Sequence, residues 1–517
     1  MSHHILFFSL TGKRWERNMW SHRVATFLRS HDWDAEVIDY TAFWKLEELQ
    51  ELVRSRVSDK TVMFTFGTAF LNPWSPHLNE FIKWLKDTYP NIATVVGGQF
   101  AMVTGAENID YWVDSYGENA MLSLARHLIG TLGSPLLTDP AFFGTKKVIR
   151  GLTAYPSAPL SSYLLSFEDR DFMRPTDCPQ IETARGCMFE CSYCNFPIIG
   201  QKKDVSVSKE EFKRQLQEGH DRWGIKNWRF TDETFNDRPE KIQKYADAVS
   251  ELDFQPWFTG FARGDLVVNH CKYWDDYIRL GFLGHSMGIE TFNKESGKII
   301  RKGMDPDKLK EGLLEFQAYT DIHAPRRYRG QISLIAGLPK ETPESWYNTL
   351  DWLNTNWTRQ SSSAWILEIS DFDENLTNMS KFTNDLKANG LKKIADNIDN
   401  PGYDVSRNAN GQIIFKTIQT GGVGTTRLDN IVIWEHDTMN WYQAKALVNE
   451  FYNKETGFKG RIGGNPILSD RLFPLYDTND FEDVYDKHIA EVDTADQKYI
   501  DLVQEYITKK LNWRPNV

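Results

Sequence analysis

Long apolar runs are missing from this sequence. No stretch of eighteen or more apolar residues occurs, so no membrane span is expected. Cysteine is scarce, with 5 in 517 residues, which excludes a disulfide framework. An excess of positive charge is also lacking. At a formal charge of -11 the chain has no overall attraction for a phosphate backbone, and nucleic acid is a disfavoured partner. Internal repeats and low-complexity tracts are absent. What remains is an ordinary globular composition, 41% hydrophobic and 25% charged, long enough for several domains. Aromatics are abundant, with 18 Trp, 20 Tyr and 31 Phe, suited to bulky core filling or to the lining of an organic cavity. The opening MSHHILFFSLTGKRW has no basic region before its apolar run. It reads as a first buried strand rather than an export signal, which points to a reducing, cytoplasmic setting.

The pattern divides the chain into four parts. Residues 1–135 alternate Val-, Ile- and Phe-rich strands (His4 to Leu10, Asp34 to Tyr40, Thr61 to Gly67, Asn91 to Gly98, Ile109 to Ser115) with helical spans, as expected of a doubly wound, Rossmann-like α/β domain. Its ligand loops would be Thr11 to Arg14, Thr68 to Ser75 and Gly97 to Ala101, beyond the carboxyl ends of the strands. Residues 136–179 carry the Gly, Pro and Ser of a connector. Residues 180–375 offer six strand candidates starting near Gln180, Asn227, Pro256, His285, Gln331 and Ala364, with helices between them. Six β–α units suit a partial TIM-type barrel, open rather than closed. Residues 376–517 form a looser, mixed α+β accessory or substrate region. Gly421 to Gly424 there lacks the Lys-Ser or Lys-Thr of a phosphate loop.

Four of the five cysteines, Cys178, Cys187, Cys191 and Cys194, fall in one short segment. Three thiols within eight residues, in a loop after a strand, can wrap around a small inorganic object, and soft thiolates suit iron and sulfide. Three ligands for four irons leave one iron open to another molecule. A zinc site or a fully capped redox cluster, with Cys178 or a histidine as the fourth ligand, is the alternative reading of the same residues.

The C-x3-C-x2-C spacing, with Tyr193 before the last Cys, resembles the signature of the radical S-adenosylmethionine (SAM) enzymes. The resemblance extends over roughly residues 180–370. It implies a [4Fe–4S] cluster on Cys187, Cys191 and Cys194, SAM chelated at the open iron, and Tyr193 near the adenine or the cluster. FTDETF (Phe230 to Phe235) resembles the stretch that meets the methionine amino group, which implies a catalytic role for Asp232 and Glu233, Asp232 first. FTGFARGDLV places Arg263 to meet a carboxylate of SAM, Asp232 or Glu233. MGIET implies that Glu290 reaches the ribose or orders the site. LIAGLPKET implies that Gly337 and Pro339 shape a loop near the adenine, although Lys340 stands where the family's second Gly would be. An external electron donor such as flavodoxin or ferredoxin is implied as a partner.

Residues 1–130 resemble the cobalamin-binding type of doubly wound domain fused to one subgroup of these enzymes, through VVGGQFAM and DYWVDSYGENAM. Thr68, Gly97, Gly98 and Gln99 would then line the cofactor cavity. The first loop, Ser9 to Trp15, holds no histidine to ligate cobalt, so cobalamin and an emptied domain plugged by Trp15 and Trp74 both stay open. Three activities follow: a radical enzyme that modifies a small molecule or peptide, with cobalamin-dependent methylation its most specific form; a cobalamin-independent radical rearrangement, epimerisation, cleavage or cyclisation; or a non-catalytic cluster protein for electron transfer or sensing.

Overall fold

The computed structural model describes residues 2–10, 17–68, 76–97, 108–114, 116–139, 147–150, 154–194, 200–203, 205–369, 380–396, 404–407, 413–416, 432–462 and 492–514, with 475–476, 478, 480 and 483. The chain forms two compact units. One comprises Met1–Arg174, Tyr403–Lys416 and Val492–Val517; the other comprises Pro175–Gly402 and Thr417–Glu491. The division falls between Arg174 and Pro175, inside the stretch expected to be a connector, and the expected accessory region is shared between the two units.

In the first unit β1 (His4–Leu10), β2 (Asp34–Ile38), β3 (Thr61–Thr68), β4 (Ala93–Gly97), β5 (Tyr111–Asp114) and β6 (Lys147–Arg150) pair in parallel in the order β2-β1-β3-β4-β5-β6. The sheet is all-parallel because helices supply the crossovers, here α1 (Met19–Arg29), α2 (Leu46–Arg56), α3 (Pro76–Thr88) and α4 (Glu118–Leu128). Every residue of β1 is buried, as a central strand covered on both faces requires. The order reverses between β1 and β3, which is where such sheets bind ligands. β6 lies within the residues read as connector; four residues, KVIR, are too few for their pattern to stand out.

A helix from the far end of the sequence, Val492–Asn512, belongs to this unit. Its buried Lys510 pairs with Glu36 at 3.0 Å, and its Tyr506 hydroxyl oxygen accepts from the Asp39 backbone N–H at 2.9 Å. Arg56 donates to the Lys510 carbonyl at 2.8 Å. Arg56 and Lys510 hold the Glu36 carboxyl down at about 2 against the upward push of its complete burial.

In the second unit β7 (Gln180–Ile181), β8 (Asn227–Phe230), β9 (Trp257–Arg263), β10 (Phe282–Glu290), β11 (Arg329–Ala336) and β12 (Ser361–Ile366) run in sequence order across one parallel sheet, with the two-residue β13 (Arg461–Ile462) beyond β12. This is the expected partial barrel with a short strand added at one edge. Helices α5 (Lys209–Trp223), α6 (Pro239–Val249), α7 (Pro306–His323) and α8 (Pro343–Asn356) start at clear signals. Ser208 and Thr342 cap the first and last, and Pro239, Pro306 and Pro343 occupy first turns. Phe212, Phe230, Phe235, Phe258 and Phe282 pack ring against ring under these helices, so much of the aromatic content is core. Among the described residues no helix is long and apolar enough to cross a membrane. Gly421 to Gly424, and with them the glycine-rich turn, lie outside the described residues.

Candidate active site

The cysteine loop follows β7 directly, at the carboxyl end of the first barrel strand. Cys187 and Cys191 are buried and Cys194 is half-buried. The Cys187 Sγ lies 3.3 Å from the Thr234 Oγ1, and burial pushes its thiol up. The Cys194 N–H donates to the Cys191 carbonyl at 3.1 Å, and the Gln201 N–H to the Cys187 carbonyl at 2.9 Å. Among the described residues no three His, Cys, Asp or Glu side chains are gathered tightly enough to hold one metal ion. A four-iron cube asks for something different: each cysteine binds its own iron, and the sulfurs stand apart around the cube. Three thiols in one loop beside a fixed guanidinium suit that group.

That guanidinium is Arg263, at the end of β9. Its Nη1 donates to the Cys191 Sγ at 3.1 Å, and its other edge grips both oxygens of Asp265, at 3.0 and 2.6 Å. The Phe189 ring lies 4.0 Å from its Cζ. Asn236 clamps the Arg263 backbone from both sides, at 2.9 and 3.0 Å. Arg263 was expected to meet a carboxylate of SAM, Asp232 or Glu233. It meets that of Asp265 two residues on, and a cysteine sulfur.

Asp232 and Glu233 sit side by side after β8 and do different things. Asp232 is buried and accepts from the Thr183 N–H at 2.7 Å, the Thr183 hydroxyl at 2.5 Å and the Ala184 N–H at 3.2 Å, with the buried Lys241 ammonium at 2.8 Å. Its oxygens are committed to tying the end of β7 to β8. Glu233 is half-buried, and its Oε2 accepts from the Gly186 N–H at 3.1 Å, one residue before the first cysteine.

The end of β10 carries a strained residue. Glu290 has φ of +68°, a left-handed conformation costly for a side chain of this size, at a point where the pairing with β11 slips. Its Oε1 accepts from the Tyr193 hydroxyl at 2.7 Å and the Lys302 ammonium at 2.8 Å; Lys302 also donates to the Gly288 carbonyl at 2.7 Å. Tyr193 is half-buried, and desolvation with the neighbouring Glu290 carboxylate pushes its phenol well up. The structure thus joins Tyr193 and Glu290 directly and adds Lys302, which sequence reasoning missed because nothing local marks it.

The β11 loop is fixed from within. Gly337 has φ of +88°, and a Cβ there would stand 2.2 Å from the Trp434 ring. Its N–H donates to the buried Glu341 at 2.8 Å, and the Pro339 carbonyl accepts from the Ser296 hydroxyl at 2.9 Å. Lys340 has φ of +71°. The lysine therefore takes up the left-handed conformation that a glycine at this position would adopt easily. Burial pushes the Glu341 carboxyl up to about 8, against the opposing pull of hydrogen bonds from Gly337, Thr291 and Leu338.

At the switch point of the first unit, Ser9 in β1 pairs with Gly67 in β3. Asn18 donates to the Gly67 carbonyl at 2.9 Å, and a Cβ on Gly67 would stand 2.2 Å from the Ser21 Oγ. Among the described residues the buried Ser9 and Ser21 hydroxyls have no hydrogen-bond partner. Gly98, Gln99, Trp15 and Trp74 lie outside the described residues, as does the side chain of Thr68.

Comparison with known proteins fits this geometry. The family model of the radical SAM superfamily matches residues 181–353. The anaerobic magnesium-protoporphyrin IX monomethyl ester cyclase of Synechocystis sp. is 23% identical over 252 residues, 46% of this chain and 50% of that protein. This chain thus spans about half the length of that curated relative. The radical SAM methyltransferase TsrM from Kitasatospora setae, solved with cobalamin and a [4Fe–4S] cluster, superposes at a TM-score of 0.62 and 15% identity, covering 94% of this chain and 99% of TsrM. The cobalamin-dependent radical SAM enzyme OxsB superposes at 0.55 and 15% identity, covering 75% of this chain and 56% of OxsB. Residues 181–353 are therefore a radical SAM domain, in a chain with the fold of cobalamin-dependent members of that superfamily.

Proposed function

We propose that the chain is a radical SAM enzyme acting on a small molecule or peptide, with cobalamin-dependent methylation as its specific reaction. The observation that carries the reading is the three-cysteine loop at the carboxyl end of β7, with Arg263 hydrogen-bonded to Cys191. Cys187, Cys191 and Cys194 would hold a [4Fe–4S] cluster, whose chemistry is to deliver one electron to SAM and release methionine and a 5′-deoxyadenosyl radical. Glu233 is the carboxylate to accept hydrogen bonds from the SAM ammonium, because Asp232 is saturated by Thr183, Ala184 and Lys241. Tyr193, Glu290 and Lys302 fix the wall beside the cysteines, and Gly337 and Pro339 shape its far rim. Asp232 and Arg263 act as positioning residues, the first on the strand ends and the second on the Cys191 sulfur.

Cobalamin fits the first unit at the crevice between β1 and β3, where the buried Ser9 and Ser21 hydroxyls have no hydrogen-bond partner among the described residues. There Thr68, Gly97, Gly98 and Gln99 would line the cavity. Anaerobic purification with iron, sulfide and corrin analysis tests the whole reading. Expected are four irons per chain, an electron paramagnetic resonance signal that changes on adding SAM, 5′-deoxyadenosine after reduction, and a product heavier by one methyl. Active enzyme free of corrin would defeat the methylation reading and leave cobalamin-independent radical chemistry. A cluster signal indifferent to SAM would leave only an electron-transfer or sensor protein.

A further inference from the structure

We propose that the outer face of the cysteine loop is the docking surface for an acidic, low-potential electron-carrier protein, held by Lys202, Arg238, Arg301 and Lys381. The inference rests on the reading of Cys187, Cys191 and Cys194 as cluster ligands and adds where the electron enters.

Three separate segments clasp the loop from outside. The Gly200 N–H donates to the Phe189 carbonyl at 3.0 Å, the Ser192 N–H to the Ile300 carbonyl at 3.4 Å, and the Phe382 N–H to the Ser192 carbonyl at 3.1 Å. Each clasp brings a cation to the same place. The Lys202 ammonium donates to the Met188 carbonyl. Arg301 and Lys381 both reach one oxygen of Glu190, at 3.0 and 2.9 Å. Arg238 joins them through the Lys202 carbonyl. Among the described residues the acids paired with these four are Glu190 and Asp237, and Asp237 is already engaged by Lys241 at 3.2 Å. A chain carrying a net charge of -11 thus turns a cationic face outward over its cysteine loop.

Stability does not explain the arrangement. Exposed ion pairs contribute little; Arg301 is 54% exposed, and two cations share one carboxylate. Arg301 is also held at φ of +63°, a conformation that costs energy for a non-glycine residue. Charge of one sign on a surface does speed and orient encounter with a partner of the opposite sign. These cations are hydrogen-bonded to Met188 and Glu190, which lie between Cys187 and Cys191, so a protein docked on them is separated from the ligands by a few bonded atoms. The step is a single electron transfer: the reduced carrier loses one electron, the oxidised cluster gains it, and no bond forms or breaks.

The test is anaerobic stopped-flow reduction of the cluster-loaded full-length protein by two donors, a reduced acidic flavodoxin and reduced methyl viologen, a small cation. In Lys202→Glu/Arg301→Glu/Lys381→Glu, reduction by flavodoxin should slow at least about tenfold at low salt, with the difference shrinking in half-molar salt. Reduction by viologen should not slow. A Lys202→Gln/Arg301→Gln/Lys381→Gln variant should fall between, and it serves if charge reversal impairs cluster loading. Unchanged flavodoxin rates in a cluster-loaded variant would overturn the docking surface. So would equal slowing with both donors at every salt concentration, because the effect would then lie on the cluster. A wild-type protein that viologen cannot reduce would instead overturn the cluster reading beneath it.

Discussion

Glu341 offers the sharpest test of the site's electrostatics. It is fully enclosed in the β11 loop, accepts from the Gly337 N–H and the Thr291 hydroxyl, and has its carboxyl pushed up to about 8 by burial, from an ordinary 4.5. A carboxyl raised in the folded state leaves the fold at full stability below the ordinary value. Stability is then lost as pH climbs from there through about 8, because the unfolded chain gives up its proton first. At pH 7 the loss attributable to Glu341 is roughly 3 kcal/mol, at 1.36 kcal/mol for each factor of ten in proton affinity. Glu341→Gln keeps an oxygen for the Gly337 N–H and removes the titration. Urea unfolding of the metal-free protein, followed by tryptophan fluorescence at pH 5 and pH 8, should show the variant gaining on wild type as pH rises. Midpoints that stay parallel across that range would refute the reasoning, whatever the absolute effect of the substitution.

Cys191→Ala should abolish iron and sulfide incorporation while far-ultraviolet circular dichroism stays unchanged, whereas Cys178→Ala should load fully, since the cluster reading assigns Cys178 no ligand role. Arg263→Met/Asp265→Asn removes the charged donor to the Cys191 sulfur without stranding a buried carboxylate. It should shift the cluster's reduction potential to a more negative value in a redox titration followed by electron paramagnetic resonance, with Arg263→Lys between it and wild type. Gly337→Ala should cost about 3 kcal/mol in urea unfolding, because it combines a positive φ with a Cβ 2.2 Å from Trp434. Lys510→Met should cost about 3 kcal/mol in the first unit, because it removes the cation in contact with the buried Glu36 and leaves Arg56 and the more distant Arg170 to hold its charge; a loss under 1 kcal/mol would contradict the burial described here.

The alternation of short apolar strands with helical spans was enough to read both parallel sheets, because strands covered on two faces must be apolar along their length. β1 was legible to the residue, while β6 and β13, four and two residues long, are below what any periodicity can mark. The cysteine spacing located the loop, since its ligands are neighbours in sequence. Partnerships across strands were not legible: Arg263 with Cys191, Glu290 with Tyr193 and Lys302, and Asp232 with Lys241 depend on which residues the sheet brings together. Asp232 and Glu233 look interchangeable in sequence; one is consumed by Thr183 and Ala184, and only the fold distinguishes them. The departure at Lys340 was visible, but not that the backbone would keep its left-handed turn.

The helix Val492–Asn512 completes a unit begun by the first residues of the chain. The bond from Tyr506 to Asp39 spans 467 positions. During synthesis Glu36 and Asp39 leave the ribosome with Arg17, His22 and Arg56, while Tyr506 and Lys510 follow only after the whole second unit has been made. Until that helix is made, this unit lacks the Lys510 ammonium for Glu36, and its assembly waits on residues 492–512. A nascent chain arrested before residue 492 should be open to proteases throughout its first unit.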